Sequence, residues 1–175
     1  YKALDDFVNT PNDYETLVID VAEHIFEMVR EYFLDKAGVT YEGDANDHGK
    51  TWKVIRLGFI DAMKKIRTIE DKHVILLSHE RTEYTKDVLG IESTRFLPMV
   101  DDTKENIHGT IMGFMHLVGR VYTEDVAVKG KKVKKHYLSF GSTGDELSGV
   151  RIPLKENKIE NTYQALIENI EGEIK

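Results

Sequence analysis

The segment that most constrains the fold is Thr16-Leu-Val-Ile-Asp20, in which an apolar run ends in one carboxylate. The residues from Ala22 to Lys36 that follow it have apolar side chains at helical spacing. An uninterrupted apolar run before an amphipathic helix is typical of a strand buried on both faces of a parallel α/β sheet. Asp20 is therefore expected at the carboxyl edge of that sheet, where such folds bind their ligands.

Two interpretations of Asp20 stay open at this point. An aspartate just before a helix is a favoured N-cap, and that role needs no ligand. An aspartate at the carboxyl edge, beside a nucleotide phosphate, commonly holds Mg²⁺ directly or through water. The residue type alone fits both.

A second buried run, His73-Val-Ile-Leu-Leu-Ser78, ends in His79-Glu80. Two helices and a polar loop lie between the runs, which predicts a right-handed parallel crossover. His79 then reaches the same edge as Asp20, where a polar side chain can contact a terminal phosphate or orient the attacking water. The alternative for His79 is a loop histidine that bonds to the backbone. The second helix is predicted from Trp52, Ile55, Phe59, Met63 and Ile66.

The whole pattern predicts an α/β fold with a mainly parallel sheet flanked by helices, as one domain over residues 1–175. Gly38 is the expected C-cap of the first helix. Residues 81–100 fit either an irregular excursion or an edge strand. The other predicted elements are a short helix over residues 2–8, a third helix over residues 107–115, a late antiparallel hairpin of residues 116–128 and 133–140, and a last helix over residues 161–171.

Composition narrows the classes of function. The net charge of −7 argues against nucleic-acid binding by the whole surface, although a local basic patch is compatible with it. The absence of cysteine excludes disulfides, thiolate metal sites and a cysteine nucleophile, and it fits a reducing cytosol. No apolar run approaches the ~18 residues of a membrane span. Because residues 1–7 have the composition of a helix interior, we expect a chain truncated at its N-terminus.

Gly49-Lys50-Thr51 has the look of a phosphate loop, but its context is wrong for one. A phosphate loop has the pattern G-x-x-x-x-G-K-[ST] and follows a buried strand. Here five residues, rather than four, separate Gly43 from Gly49, and they include acidic side chains that would repel phosphate. We therefore predict that Lys50 is not a phosphate ligand.

A cluster of lysines marks the tip of the predicted hairpin. A basic hairpin can follow a nucleic-acid backbone while an aromatic residue, here Tyr137, stacks on the bases. Simple solvation of a hairpin tip accounts for the same composition. The lysines of this cluster are Lys129, Lys131, Lys132, Lys134 and Lys135.

None of the seven histidines forms an H-x-x-x-H pair, so no metal site is predicted from them.

The pairing of Leu17-Val-Ile-Asp20 with Val74-Ile-Leu-Leu-Ser-His-Glu80 resembles the phage-encoded, RecA-like ATP-binding proteins of the P-loop NTPase class. Some members of that family are single-strand annealing recombinases. The resemblance spans residues 14–80, where His48-Gly-Lys-Thr-Trp52 corresponds to a loop before a helix. It is weaker after residue 80, although Leu117-Val-Gly-Arg-Val-Tyr122 still resembles a late core strand of the family. It implies a RecA-like sheet with ATP and Mg²⁺ as cofactors. It also implies single-stranded DNA and further copies of the chain as partners, and a phage- or prophage-encoded protein of the bacterial cytoplasm. The lack of a long apolar run leaves no membrane partner to expect.

The resemblance also implies roles for individual residues. Asp20 matches the Walker B acid that holds Mg²⁺ through water, and His79 matches the end of the sensor strand. Ser78 and Glu80 flank His79 and are the candidate nucleotide-binding and catalytic neighbours. Arg151, which follows a Gly-rich loop, is a candidate finger toward a neighbouring subunit, with surface solvation as the alternative. The family's Walker A loop and general-base acid are expected upstream of the first residue.

Three functions remain open on the sequence. The first is an ATPase that couples hydrolysis to the handling of single-stranded DNA. The second is a non-catalytic α/β interaction module that has lost its phosphate site. The third is a small hydrolase or nuclease that uses Asp20 and Glu80, although the sequence lacks a clustered set of acids.

Overall fold

The computed structural model describes residues 6–7, 9–10, 13–69, 72–99, 111–141, 146 and 148–170. The chain divides into two compact units. The first contains residues 1–79 and 98–114, and the second contains residues 80–97 and 115–175. No helix in the described ranges combines the length and the hydropathy needed to cross a bilayer.

The first unit is built on a pair of parallel strands, β1 (Thr16–Ile19) and β2 (His73–Leu76). Their register places Val18 beside Ile75, so the two apolar runs of the sequence are direct neighbours. The predicted parallel pairing is confirmed. The connection between the strands contains α1 (Ala22–Ala37), a 3₁₀ helix (Glu42–Ala45) and α2 (Lys50–Arg67).

The core of the first unit lies between α1 and α2. Phe59 is fully buried, and its ring meets the edge of Phe26 with a centroid distance of 5.3 Å. The helices approach closely at Gly58, where an added Cβ would clash with the ring of Phe33. α1 ends at Gly38 in the left-handed conformation (φ 70°), which confirms the predicted C-cap.

The second unit contains small sheets and one helix in its described part. The strands β6 (Arg120–Val128) and β7 (Lys131–Ser139) form the predicted antiparallel hairpin. Lys129 and Gly130 join them with φ of 49° and 78°, which is the backbone of a two-residue I′ turn. The other elements are β3 (Glu80–Lys86) paired with β4 (Glu92–Pro98), β5 (Leu117–Val118) paired with β8 (Gly149–Val150), β9 (Lys158–Glu160) paired with β7, and α3 (Tyr163–Asn169).

The prediction of a mainly parallel sheet is not confirmed. In the described part of the chain β1 and β2 pair in parallel, whereas the small sheets of the second unit are mostly antiparallel. The physical reason lies in the residue patterns. β6 alternates half-buried and exposed residues over most of its length, which is the pattern of an antiparallel strand with one face in water.

Several predicted boundaries shift in the structure. Residues 81–100 were open between an excursion and an edge strand, and they form the paired strands β3 and β4. The last helix is shorter than predicted and starts after Thr162, whose side chain accepts a hydrogen bond from the Ala165 amide. The predicted helix over residues 2–8 falls largely outside the described residues. Of the predicted helix over residues 107–115 the structure describes residues 111–115, where 111–112 are helical and 113–114 form a turn.

Candidate functional site

Asp20 lies at the carboxyl end of β1 and is exposed. The N-cap position of α1 belongs to Val21, and no side chain in the described residues caps this helix through a hydrogen bond. The geometry therefore gives no support to the helix-cap interpretation of Asp20. A single exposed carboxylate at a strand end fits Mg²⁺, which prefers oxygen ligands and takes its remaining ones from water and phosphates.

Backbone hydrogen bonds continue past the ends of both strands. The Leu77 amide donates to the carbonyl oxygen of Ile19 at 2.9 Å, and the Ala22 amide donates to the carbonyl oxygen of Leu77 at 2.8 Å. The turn after β1 and the turn after β2 are thereby joined. This continuation places Asp20, Ser78 and His79 at the same edge of the strand pair, as predicted from the sequence.

A fourth residue, Glu23, joins this edge and was missed by the sequence analysis. One oxygen of its carboxylate, Oε1, accepts a hydrogen bond from Ser78 Oγ at 2.6 Å and one from the His79 amide at 2.9 Å. Glu23 lies in the first turn of α1, where acidic residues are common for electrostatic reasons alone. Its spacing of three residues from Asp20 was the available signal, because a side chain in a first turn leans back toward the strand end.

The opposite side of the same turn is held by Met99. The Met99 amide lies 2.7 Å from the carbonyl oxygen of His79 and 3.1 Å from Ser78 Oγ, and it donates to both. The N–H and the C=O of His79 are thus both hydrogen-bonded, while its residue surface is exposed. The result is a fixed backbone that carries an accessible imidazole.

Glu80 and Arg151 belong to the second unit. Glu80 accepts hydrogen bonds from Nε and Nη2 of Arg120, whose guanidinium also stacks on the Phe96 ring at 3.5 Å from its centroid. Arg151 is exposed, and its amide donates to the carbonyl oxygen of His116 at 2.9 Å. The ion pair with Arg120 gives Glu80 a structural role within the second unit.

The Gly49-Lys50-Thr51 segment has the geometry of a capped helix start. Asp47 Oδ2 accepts hydrogen bonds from the Thr51 amide at 2.8 Å and from Thr51 Oγ1 at 2.7 Å. The hydrogen bond from the Thr51 hydroxyl holds the pKa of Asp47 below its usual value. A carboxylate thus occupies the helix N-terminus that a phosphate would need. The segment before it is a 3₁₀ helix, whereas a phosphate loop follows a buried strand.

The basic hairpin is partly neutralised by neighbouring acids. Lys135 pairs with Glu160, and this hydrogen bond raises the pKa of Lys135. Lys158 of β9 pairs with Glu124 at 2.7 Å and lies 4.2 Å from the centroid of the Tyr137 ring. The remaining lysines of the cluster are exposed.

No three His, Asp or Glu side chains of the described residues cluster in a metal-binding arrangement. Any Mg²⁺ at this edge would depend on Asp20 together with ligands from a nucleotide and water. That dependence is the usual situation for Mg²⁺ at nucleotide sites, so the donor set fits the ion.

The carboxyl ends of parallel strands are where open α/β sheets bind their ligands, and Asp20 and His79 follow the two parallel strands at that edge. A family model described as an AAA domain matches residues 1–148 of the 175. The chain therefore belongs to the AAA domain family, which indicates a nucleotide-binding, ATPase-like protein of the P-loop NTPase class. Domains of this family generally bind ATP with Mg²⁺. No curated protein and no solved structure matches the chain.

Proposed function

We propose that the protein binds ATP with Mg²⁺ at the carboxyl edge of β1 and β2 and hydrolyses it. The observation that carries this proposal is the parallel pairing of the two strands, which brings Asp20 and His79 to one edge. Membership in the AAA domain family supplies the class of ligand. We extend the proposal to a RecA-like sheet, with further strands beside this pair.

Each edge residue has a role that its chemistry allows. Asp20 would hold Mg²⁺ through water, and the ion would supply neutralisation of the phosphate charge. His79 donates a hydrogen bond to the terminal phosphate from its fixed backbone position. Ser78 supports the position of His79, because its hydroxyl forms hydrogen bonds with Glu23 and Met99 that hold the turn carrying His79.

The phosphate cradle is the part that these 175 residues do not supply. They contain no G-x-x-x-x-G-K-[ST] pattern, and Asp47 already occupies the helix start at Gly49-Lys50-Thr51. One neutral hydrogen bond contributes roughly 0.5–1.5 kcal/mol net, against the ~8 kcal/mol of micromolar binding. We therefore expect this chain to bind Mg·ATP more weakly than micromolar.

Two calorimetric titrations with Mg·ATP test the proposal. The first uses this chain, and the second uses a chain extended upstream of Tyr1 to include a phosphate loop after a buried strand. We expect micromolar binding and ATP turnover only in the extended chain. Micromolar binding by the 175 residues would indicate that Gly49-Lys50-Thr51 is a phosphate-binding loop. An extended chain that does not bind Mg·ATP would overturn the proposal.

The partner we propose is single-stranded DNA, as in the annealing recombinases that the chain resembles. The exposed lysines of the β6–β7 hairpin support this choice. On the same resemblance, we propose a homo-oligomer in which Arg151 reaches a neighbouring nucleotide, and a phage- or prophage-encoded protein of the bacterial cytoplasm. Fluorescence anisotropy with a labelled oligo-dT strand tests the DNA partner. If Lys132→Glu leaves the affinity for the oligonucleotide unchanged, the hairpin is not part of the DNA-binding surface.

A specific observation favours a second candidate, a non-catalytic interaction module. The chain has a single Gly-Lys-Thr sequence, and there the Asp47 carboxylate already accepts the hydrogen bonds of the Thr51 amide and hydroxyl that a phosphate would need. A module of this kind would bind no nucleotide even when extended upstream. The second titration therefore separates the two candidates.

A further inference from the structure

We propose that Glu23 is a positioning residue for His79, an inference that rests on the proposed ATP-dependent function of this edge. Its carboxylate holds the Ser78–His79 turn against the start of α1, three residues after Asp20. Glu23 thereby attaches the turn that carries the proposed phosphate-sensing residue to the start of α1, which follows Asp20 directly in the chain.

The contacts of Glu23 are concentrated on one oxygen. Oε1 accepts from Ser78 Oγ at 2.6 Å and from the His79 amide at 2.9 Å, whereas Oε2 is buried and has no hydrogen-bond partner among the described residues. Hydrogen bonds to a charged acceptor are shorter and stronger than neutral ones. The turn is therefore attached to α1 through one atom.

Both ends of the His79 backbone are restrained, and this is what makes the contact a positioning device. Glu23 fixes the N–H, and Met99 fixes the C=O at 2.7 Å. With both groups held, the direction of the Cα–Cβ bond is set and the imidazole is left to explore its own rotamers. Functional side chains need such a supporting shell to hold a productive geometry.

A helix-start acid could instead stabilise α1 through the helix dipole alone. That role would leave the His79 backbone unaffected, because it needs no contact with the turn. Glu31 is a matched control, since it is an exposed glutamate of the same helix. The two roles therefore differ in what happens at His79.

Amide hydrogen exchange by NMR on this chain measures the attachment directly. In Glu23→Ala we expect the His79 amide to exchange at least tenfold faster, with the amides inside α1 changed less than threefold. Glu23→Gln keeps an acceptor oxygen and should stay within about threefold of the wild type, and Glu31→Ala should leave His79 unchanged. If Glu23→Ala does not fold, Ser78→Ala replaces it, because it removes one of the two Oε1 contacts. Unchanged exchange at His79 in the folded variant would overturn the proposal.

Steady-state ATP turnover in the upstream-extended chain tests the consequence. We expect Glu23→Ala to lower kcat at least tenfold while KM for ATP stays within twofold, and Glu23→Gln to restore most of kcat. Faster exchange with unchanged kcat would overturn the role in catalysis. A wild-type chain without turnover would overturn the proposed function, and the exchange measurement would still decide whether Glu23 holds the turn.

Discussion

The two compact units are stabilised by different interactions. The first unit has a buried apolar core, with Phe59 and Ile55 fully enclosed between its helices. The second relies more on cations paired with acids and rings, such as Arg120 against Glu80 and Phe96. Burial of a large apolar side chain contributes ~1.5–3 kcal/mol, whereas an exposed ion pair contributes ~0–1 kcal/mol. The first unit should therefore tolerate interior changes poorly, and the second should lose stability in small steps.

The largest expected effect is on the core of the first unit. Phe59→Ala should lower the free energy of unfolding by about 3–5 kcal/mol, because it removes contacts and leaves a cavity. Urea denaturation measures the change. Tyr84→Ala, which alters a residue of the second unit that is 81% exposed, should stay within about 0.5 kcal/mol. Equal losses in the two variants would break the comparison.

An exposed residue of the first unit should affect chemistry more than stability. In the upstream-extended chain, Asp20→Asn should lower ATP turnover by about a hundredfold, or ~2.7 kcal/mol, because the placement of Mg²⁺ is lost. Calorimetry should show ATP binding much less affected. Asp35→Asn, at another exposed acid of the unit, is the control. Normal turnover in Asp20→Asn would remove Asp20 from the proposed Mg²⁺ site.

The ion-pair chemistry of the second unit should show a smaller effect. Arg120→Ala should destabilise the protein by about 1–2 kcal/mol, since it removes the contact with Glu80 and the stacking on Phe96. Arg95→Ala, at an exposed arginine of β4, is the matched control. A double-mutant cycle of Arg120→Ala with Glu80→Gln should show a coupling energy that corresponds to a stabilising interaction between the two side chains. Additive losses would mean that the two side chains act independently.

One ion pair in the first unit should make its stability depend on pH. The hydrogen bond from Arg30 lowers the pKa of Glu42 in the folded state. The stabilisation is therefore present above the unfolded-state value of about 4.3 and is lost as the pH falls through the lower folded-state pKa. Glu42→Gln should remove ~0.5–1 kcal/mol at pH 7 and flatten the acid side of the stability curve. Urea titrations from pH 3 to pH 7 measure this, with Asp44→Asn as the control; an unchanged acid limb would exclude the pair as its cause.

The smallest expected effect concerns Lys50. In the upstream-extended chain, Lys50→Ala should leave the Kd for ATP within about twofold, because Asp47 occupies the helix start beside it. Calorimetry provides the measurement. A loss of ~2 kcal/mol, the scale of a strong charged contact, would show that this loop binds phosphate after all.

The sequence predicted those elements whose local residue pattern alone determines the type of element and its pairing. The apolar runs before Asp20 and Ser78 predicted the parallel pair, because neither run has a polar face to leave in water. Glu23 was missed because its role depends on a turn that is 55 residues away along the chain. A mainly parallel sheet was expected by extending the pattern of β1 and β2 to strands such as β6, whose alternation belongs to a different kind of sheet.

The hairpin of β6 and β7 also has a length, and length sets reach. Each strand has nine residues, so the turn at Gly130 lies roughly 27 Å from Arg120 at about 3.4 Å per residue. The lysines at the tip are thus carried on an arm that starts at the Arg120 contacts. Because side chains alternate with a period of two, the arm can be shortened by two residues per strand without exchanging its faces. Each such step would draw the charged tip in by about 7 Å, so the position of the charge can be varied separately from its amount.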